Sequence, residues 1–337
     1  MLFNRIALAL AVIVGSTLGA HADGVMVTPD TYIRAETDIA FADFQRRAGG
    51  KVNTNAFVRE PTLLADQTVI RMNRDTLYGS AVVDTKGGAT ITVPEAADGR
   101  YLSVLVIDND HYAPAVFYAP GTYDLPDETR YVALLYRVQL LDYADPKDVA
   151  AANMLQDQFV VQASSAMPFP APQWDVDSML ALRKSYEVEF RKFAQFEPDW
   201  MGPRGEVNEV TRHLAAAGAW GLFPEKDAVY INYAGPSDPS ACYTATYETP
   251  ETQAFWSITV YGADGFMKSD KNVINDRNVA ANDDGTFTAY FGSEASCGDK
   301  PNRVDVSEGW NFLMRIYRPG PAILSRRYTL PDVSVAQ

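Results

Sequence analysis

The chain has 337 residues, with 29 Lys+Arg against 43 Asp+Glu, and its formal charge at pH 7 is −14. Its hydrophobic content of 47% excludes a disordered chain and is enough for one large domain or two. The negative charge argues against nucleic acid and anionic lipid as partners, because both repel an acidic protein that lacks a basic patch. The densest basic stretch, from Arg183 to Lys192, is interrupted by Glu187 and Glu189.

The N-terminus has the pattern of a secretory signal. Arg5 is the only charged residue before Asp23, and Ile6–Val14 is an unbroken apolar run. Ala20-His21-Ala22 then supplies the small residues that a signal peptidase accepts. A helix that crosses a membrane needs about 20 apolar residues, roughly twice this run. The sequence therefore predicts a signal peptide over residues 1–22, cleavage after Ala22, and a periplasmic or secreted mature chain without a transmembrane segment.

Cys242 and Cys297 are the two cysteines of the chain. An exported protein folds in an oxidising compartment, where disulfides persist, so we predict that the two cysteines form one structural disulfide. Two unrelated buried thiols are the alternative. Neither cysteine stands in a C-x-x-C pair, so a redox-active dithiol is not expected.

The first half of the chain is predicted to contain one helix followed by strands. Thr28 and Pro29 are typical of a helix start, and Ala48-Gly49-Gly50 is typical of a helix end. From about Tyr78 to Leu141 the hydrophobic period changes to two, with Gly, Pro and Asp between the runs. The predicted strands are Ala89–Pro94, Tyr101–Ile107, Ala115–Tyr118 and Tyr131–Leu140.

The middle of the chain is predicted to be helical. Asp145 and Pro146 begin a helix that we expect to continue to about Val161. The proline-rich stretch from Pro168 to Pro172 is the best candidate for a domain boundary. Beyond it, apolar residues recur at spacings of three and four, which predicts an amphipathic helix. Those residues are Met179, Leu182, Tyr186, Phe190 and Phe193, and a further helix is predicted over Glu206–Phe223.

Strands return in the last third of the chain. They are predicted at Val229–Tyr233, Cys242–Tyr247, Trp256–Tyr261, Thr286–Phe291 and Phe312–Tyr317. The strand-rich halves have too few connecting helices for alternating βαβ units. We therefore predict a mainly β fold of the α+β class, with two antiparallel β-sandwich or jelly-roll-like domains. The domains are predicted over residues 23–170 and 228–337, with a helical segment over 171–227 between them.

Several common catalytic motifs are absent from the sequence. Beyond the signal there is no G-x-S-x-G elbow, H-E-x-x-H motif, Walker A loop or G-x-G-x-x-G run. Only two histidines follow the signal, His111 and His213. This excludes most types of zinc hydrolase site, because catalytic zinc is usually bound by several histidines. A Ser-His-Asp triad stays formally open. His213 is predicted to lie on the surface of a helix.

The densest polar group is the Asp108-Asn109-Asp110-His111-Tyr112 run, which directly follows an apolar strand. Strand ends that lead into loops are where catalytic groups tend to sit. Asp108, Asp110 and His111 could bind a divalent cation, or Asp108 and His111 could act as acid and base. Asp110 and Tyr112 are candidate ligand-binding residues. The alternative is a polar turn whose side chains cap its own backbone.

A second polar group, Asn73 to Tyr78, precedes the first predicted strand. Arg74 could hold a carboxylate or sulfate group with two hydrogen bonds, and Tyr78 could donate another. Asp75 is a candidate catalytic carboxylate. The alternative is an internal pair between Arg74 and an aspartate. Arg315 and Tyr317, which alternate on the last strong strand, are predicted either to line a pocket or to lie on a plain sheet face.

The Asn73-Arg74-Asp75-Thr76-Leu77-Tyr78 string resembles the family called domain of unknown function 1254. Other shared strings are Val82-Val83-Asp84, Ile91-Thr92-Val93-Pro94, Gly99-Arg100-Tyr101 and Ile107-Asp108. The C-terminal part resembles its usual companion, domain of unknown function 1214. That resemblance is carried by Trp256–Tyr261, Asp264-Gly265, Asp284-Gly285 and Gly309–Pro319.

The resemblance implies two β-sandwich or jelly-roll-like domains in a secreted or envelope bacterial protein, and it supplies no established reaction. Asn302 to Ser307 departs from the Asn-Trp-Leu-Pro-Ala-Pro run of many family members, so a ligand bound there would differ.

Three functions follow from these patterns. The first is an exported protein that binds a small polar or carbohydrate-like ligand in a cleft near the Asn73–Tyr78 and Asp108–Tyr112 loops. The second is a hydrolase or lyase that uses the same cleft, with His111 or Asp108 as acid or base. The third is an envelope scaffold without a small ligand. No cofactor is predicted beyond the divalent cation considered above, and a homo-oligomer stays open.

Overall fold

The computed structural model describes residues 24–68, 70–193, 195–236 and 238–336. The predicted signal peptide lies outside these residues. Within them, no helix combines the length and the apolar character that crossing a membrane requires. The helices are α1 (Tyr32–Arg47), a 3₁₀ turn (Leu64–Asp66), α2 (Pro146–Gln156), α3 (Val176–Phe190), α4 (His213–Gly218), α5 (Glu294–Cys297) and α6 (Pro321–Leu324).

The N-terminal half contains two sheets. Its strands are β1 (Ala56–Phe57), β2 (Thr76–Asp84), β3 (Ala89–Val93), β4 (Leu102–Asp108), β5 (Ala115–Phe117), β6 (Gly121–Asp124), β7 (Tyr131–Gln139) and β8 (Val160–Ala163). The larger sheet has the order β1-β2-β7-β4-β5 and the smaller has the order β6-β3-β8. All of these pairs are antiparallel.

The C-terminal half also contains two sheets, each with four strands. Its strands are β9 (Ala228–Ala234), β10 (Tyr243–Tyr247), β11 (Trp256–Tyr261), β12 (Val273–Asn275), β13 (Phe287–Phe291), β14 (Arg303–Val304), β15 (Asn311–Tyr317) and β16 (Ser334–Val335). One sheet has the order β12-β11-β15-β9 and the other has the order β14-β13-β10-β16. The β13–β14 pair is parallel.

Alternation along the strands gives each half its own sandwich core. In the N-terminal half, Leu134 and Val104 of the larger sheet pack in one cluster with Ile91 of the smaller sheet. In the C-terminal half, Met314 packs in one cluster with Phe287. Side chains on the opposite faces of the five-stranded sheet and of the β12-β11-β15-β9 sheet meet in a third cluster between the halves. These two sheets are therefore buried on both faces.

The predicted fold class is confirmed: the described chain is mainly β, of the α+β class, with four sheets and no closed barrel. The predicted disulfide is also present, between Cys242 and Cys297, 55 residues apart in the sequence. The predicted domain limits at residues 170 and 228 stay a prediction.

Two predicted helices are wrong in extent. The helix after Asp145 ends at Gln156 instead of Val161, because Val160 and Val161 pair with β3. Only His213–Gly218 is α-helical in the stretch predicted as Glu206–Phe223, because turns hydrogen-bonded to Asn208 precede it. His213 is therefore the first residue of a short helix, and its half-buried ring lies 4.3 Å from that of Tyr186.

Candidate functional site

The larger N-terminal sheet brings an arginine into the space between the two halves. Arg137 lies in the middle strand β7, directly opposite Tyr78 on β2 and Ser103 on β4. Residues opposite each other on neighbouring strands point to the same face of a sheet, so the three side chains form one row. Arg137 and Ser103 are buried, and Tyr78 is partly exposed.

The β12-β11-β15-β9 sheet of the C-terminal half presents a matching row. Arg315 lies in β15, directly opposite Tyr230 on β9 and Ser257 on β11. All three side chains are buried. Both arginines lower the pKa of Tyr230 against the raising effect of burial, so the two rows lie within electrostatic reach of each other. We call these six residues the inter-sheet cluster: Tyr78, Ser103, Arg137, Tyr230, Ser257 and Arg315.

Arg137 is held by aromatic rings and not by a carboxylate. Its guanidinium carbon lies 4.2 Å from the centre of the Phe223 ring and 5.4 Å from that of Tyr78. Its Nε and Nη1 atoms are buried and have no hydrogen-bond partner among the described residues. Burial lowers the pKa of Arg137 and the surrounding tyrosines raise it more, so the group stays charged at neutral pH. This is a buried cation with unmet donors.

Arg315 is better satisfied. It donates to Thr259 Oγ1 at 3.0 Å, to Tyr261 Oη at 2.8 Å and to the Arg71 carbonyl at 2.8 Å. Arg71 itself has a left-handed backbone, with φ 60°, and its buried Nε and Nη1 have no partner in the described chain. Burial lowers the pKa of Arg71 to about 10, which still leaves it charged at pH 7.

Asp75 is the buried carboxylate beside the cluster. Its Oδ1 accepts from Asn275 Nδ2 at 3.0 Å, while Oδ2 completes no hydrogen bond of normal geometry with the described residues. Burial raises the pKa of Asp75, although Ser257, Asn275 and the charge of Arg315 lower it. Nearby Asp276 is partly exposed, and burial raises its pKa to about 6.

Tyr317 lies between the sheets beside this cluster. Its ring stacks on that of Phe255 with centres 4.5 Å apart, and the Tyr101 ring lies 5.4 Å away. Asn73 Nδ2 donates to the Tyr317 hydroxyl oxygen at 3.2 Å. Burial raises the pKa of Tyr317, so its phenol remains neutral at physiological pH. The predicted residues Asp75, Tyr78, Arg315 and Tyr317 are thus brought together.

Arg74 lies outside this group. It is 2% exposed, and it donates from Nε to the Thr62 carbonyl at 2.9 Å and from Nη2 to Asp270 Oδ1 at 2.8 Å. Its guanidinium also lies 5.5 Å from the centre of the Tyr143 ring. The Asp270 side chain is 80% exposed, so the carboxylate of this pair remains in water. Arg74 therefore joins the two halves of the molecule.

The Asp108–Tyr112 loop is a self-capped polar turn. Asp108 Oδ1 accepts from the backbone amides of Asp110 and Tyr112, both at 2.9 Å. Asp110 is held by Arg34 and by Arg204, the latter at 2.7 Å. Burial raises the pKa of Asp110 but the two arginines lower it more, so this carboxylate is ionised. The polar-turn alternative describes this loop.

Tyr112 and His111 are also occupied by neighbouring protein groups. The Tyr112 hydroxyl donates to Glu209 Oε1 at 2.7 Å, and the Tyr112 ring has Arg204 and Arg212 within 4.1 Å. His111 is 1% exposed, and its Nε2 accepts from the Gly221 amide at 3.2 Å. Burial, followed by the charge of Arg212, lowers the pKa of His111 to about 3.

The two predicted loops do not line one cleft. Asp108 lies opposite Val132 near one end of β7, whereas the strand that follows Asp75 lies opposite the other end, at Gln139. Arg137 lies between these two positions on β7, five residues from Val132. Along the strand this corresponds to roughly 17 Å at about 3.3 Å per residue. The prediction of a shared cleft is therefore wrong. One loop leads into the start of β2 and the other follows the end of β4, and these two strands run in the same direction on either side of β7.

The divalent-cation hypothesis for this loop is not supported either. In the described ranges, no three His, Cys, Asp or Glu side chains converge in a way that could hold a metal ion. Asp108, Asp110 and His111 each direct their acceptor atoms to an amide or an arginine instead.

Four of the six residues of the inter-sheet cluster were not predicted from the sequence, namely Ser103, Arg137, Tyr230 and Ser257. The sequence nevertheless carried a signal for Arg137, which is the only charged residue in the largely apolar run Tyr131–Leu140. Arg315 stands in the same way within Asn311–Tyr317. A lone arginine in a strand that is buried on both faces marks a position that packing alone does not explain.

The fold and the site define a two-sandwich, mainly β protein with arginine and tyrosine side chains buried between its halves. Residues 52–119 match the family model described as "Protein of unknown function (DUF1254)", and residues 233–321 match the one described as "Protein of unknown function (DUF1214)". The two matches stand in the predicted order, DUF1254 before DUF1214.

Two solved structures are similar to the whole molecule. The crystal structure of the VPA0106 protein from Vibrio parahaemolyticus is 20% identical with a TM-score of 0.66, and the alignment covers 91% of this chain and 98% of that one. An uncharacterized protein from Burkholderia cenocepacia is 15% identical with a TM-score of 0.54, covering 91% and 88%. These similarities show the fold alone. No match was found among curated proteins.

Proposed function

We propose that this protein binds a small polar ligand between its two halves, at the inter-sheet cluster. One observation carries the proposal: Arg137 is charged and 7% exposed, yet its Nε and Nη1 donate to no described residue. Burying a charged group without hydrogen bonds costs several kcal/mol. A ligand that accepts these hydrogen bonds would offset that cost.

The surroundings of Arg137 have the composition of a binding site. Small-molecule sites combine aromatic walls with a few convergent polar groups. Here Phe223, Tyr78 and Tyr317 supply aromatic surface, and Ser103 Oγ is a second buried polar atom without a partner in the described chain. Tyr78 is partly exposed, so the cluster meets solvent at that side chain.

Export remains part of the proposal. The Cys242–Cys297 disulfide supports an oxidising compartment, and the predicted signal at residues 1–22 supplies the route. Expression of the full chain in a Gram-negative host should yield a periplasmic protein whose N-terminal residue is Asp23. A cytoplasmic protein that retains residues 1–22 would contradict export without affecting the proposed ligand site.

The binding proposal is tested by thermal unfolding of the wild type, Arg137→Met and Arg204→Met with millimolar monosaccharides, amino acids and small carboxylates. A ligand that binds only the native state stabilises it by about 2.7 kcal/mol at 100 times its Kd. We expect at least one solute to raise the melting temperature of the wild type and of Arg204→Met but not of Arg137→Met. Equal shifts in all three proteins, or no shift in any, would contradict the proposal.

A further inference from the structure

We infer that the ligand of the inter-sheet cluster carries an oxyanion, such as a carboxylate, phosphate or sulfate group, and that Arg137 holds it. This inference rests on the proposed binding function and assigns the chemical class of the ligand. The chain as a whole is acidic, with a formal charge of −14, whereas the buried charged side chains at this site are mostly arginines.

Charge is the first argument. Arg71, Arg137 and Arg315 are 7%, 7% and 3% exposed, whereas Asp75 is the buried carboxylate that lies beside them. The charge of Asp75 acts on Arg315, and the groups that most affect Arg137 are tyrosines. Arginine cannot be deprotonated in a protein, so Arg137 stays charged. A bound anion would offset this charge.

The polarity of the unmet groups is the second argument. A guanidinium has only donors, so a complementary ligand must accept hydrogen bonds. Arg137 and Arg71 each have a free Nε and Nη1 in the part of the chain described here, and Ser103 and Tyr101 have hydroxyls that can also donate. Charge-assisted bonds from arginine to an oxyanion are about twice as strong as neutral ones. The set therefore favours an anion over a neutral sugar.

Another arginine of the same protein shows the contrast. Arg100 is 5% exposed, and it donates to Asp98 Oδ2 at 2.8 Å, to Asp148 Oδ1 at 2.7 Å and to the Gln139 carbonyl at 3.1 Å. A buried arginine with a structural role is thus given carboxylates by its own chain. Arg137 has the same degree of burial without them, which points to a partner from outside the chain.

The test compares pairs of probes that differ in charge and little in shape. Melting temperatures and calorimetric Kd values are measured with acetate against acetamide and benzoate against benzamide, together with inorganic phosphate and sulfate. Sodium chloride keeps the ionic strength constant, so that general screening is the same in every sample. The proteins are the wild type, Arg137→Met and the control Arg204→Met, whose arginine pairs with Asp110.

We expect at least one anion to bind the wild type and Arg204→Met at least ten times more tightly than its neutral match. Arg137→Met should lose that preference. If Arg137→Met does not fold, Arg137→Lys replaces it, because lysine keeps the charge but loses the planar set of donors. In that variant the expected loss of affinity is at least fivefold.

Two results would overturn the inference. If amides bind as tightly as carboxylates, or if no anion binds, the ligand is not an oxyanion. A monosaccharide that stabilises the wild type but not Arg137→Met would then leave the proposed binding function intact while refuting the anion. If neither neutral nor anionic solutes stabilise the wild type, both the function and the inference fail.

Discussion

The Asp108–Tyr112 loop and the inter-sheet cluster are both buried and polar, but they differ in how completely their groups are paired. In the loop, Asp108 accepts two amide hydrogen bonds and His111 accepts a third. In the cluster, Arg137 and Ser103 have buried polar atoms without partners in the described chain. The loop therefore stabilises the fold, whereas the cluster retains polar atoms that could bind a ligand.

This difference shows why local polar density is a poor guide to a binding site. The loop concentrates two carboxylates and an imidazole within five residues, which is the pattern expected of a catalytic group. Its residues use those atoms to fasten α1 and the segment around Arg204 to the end of β4. The cluster draws single residues from six strands, so no short stretch of sequence displays it.

The largest effect on the loop is expected from Asp108→Ala. This change removes the acceptor of the Asp110 and Tyr112 amides and should lower the free energy of unfolding by about 3 kcal/mol. Asp108→Asn keeps the Oδ1 acceptor and should cost less than half of that. Denaturant unfolding measures both. Stabilities of both variants within about 0.5 kcal/mol of the wild type would show that the loop is not structural.

Arg74→Met tests the arginine that joins the two halves. We expect a loss of about 2 kcal/mol in unfolding free energy, because the hydrogen bonds to Thr62 and Asp270 disappear. The loss stays moderate because the remaining charge, Asp270, is exposed. Asp270→Asn should cost no more than about 1 kcal/mol, as an exposed carboxylate does. A larger loss from Asp270→Asn than from Arg74→Met would contradict this reading of the pair.

His111 should make the loop sensitive to acid. Its pKa is about 3 in the native protein and about 6.5 in an unfolded chain, so its stabilising effect is present above pH 6.5 and is lost as the pH falls towards 3. Between pH 7 and 5 this single group removes about 2 kcal/mol. His111→Asn does not titrate and tolerates the left-handed backbone, with φ 62°. Between pH 7 and 5 the unfolding free energy of His111→Asn should therefore fall less than that of the wild type. An equal fall in both proteins would refute the lowered pKa of His111.

Asp276 should give the rim of the cluster the opposite response. Burial raises its native pKa to about 6, against about 3.9 when unfolded, so its contribution is fully present below pH 3.9 and is lost as the pH rises through 6. Lowering the pH from 7 to 5 should therefore add about 1 kcal/mol through this group. In Asp276→Asn that gain should be absent. The quantity to compare is the pH dependence of the two unfolding free energies, and parallel curves would rule out the raised pKa.

The sequence predicted the fold well because its signals are local. The period-two runs, the Asp145-Pro146 helix start and the cysteine pair each depend on neighbouring residues or on compartment, and each corresponds to an observed feature. The site was predicted only in part. Asp75, Tyr78, Arg315 and Tyr317 do meet, but Arg137 enters through the register of β7 against β2 and β4, which the strand pattern does not specify.

His111 shows the other limit of the sequence. Its neighbours Asp108 and Asp110 make it resemble an acid–base residue, whereas burial and the charge of Arg212 lower its pKa to about 3. In the structure its ring stacks on Trp220, and its Nε2 accepts a hydrogen bond from the amide of Gly221. Those partners lie more than a hundred residues further along the chain. Only the packing of the loop against that segment shows that the imidazole is neutral and already hydrogen-bonded.

The most direct test of a ligand site at the inter-sheet cluster is the unfolding free energy of Arg137→Met beside that of Arg100→Met. The two arginines are similarly buried. Arg100→Met leaves Asp148, whose side chain is 10% exposed, without its partner and should cost about 3–5 kcal/mol. Arg137→Met deprives no described group of a hydrogen bond and removes a buried charge, so its stability should lie within about 1 kcal/mol of the wild type or above it. A loss from Arg137→Met as large as that from Arg100→Met would show that Arg137 serves the fold and would contradict a ligand site at the inter-sheet cluster.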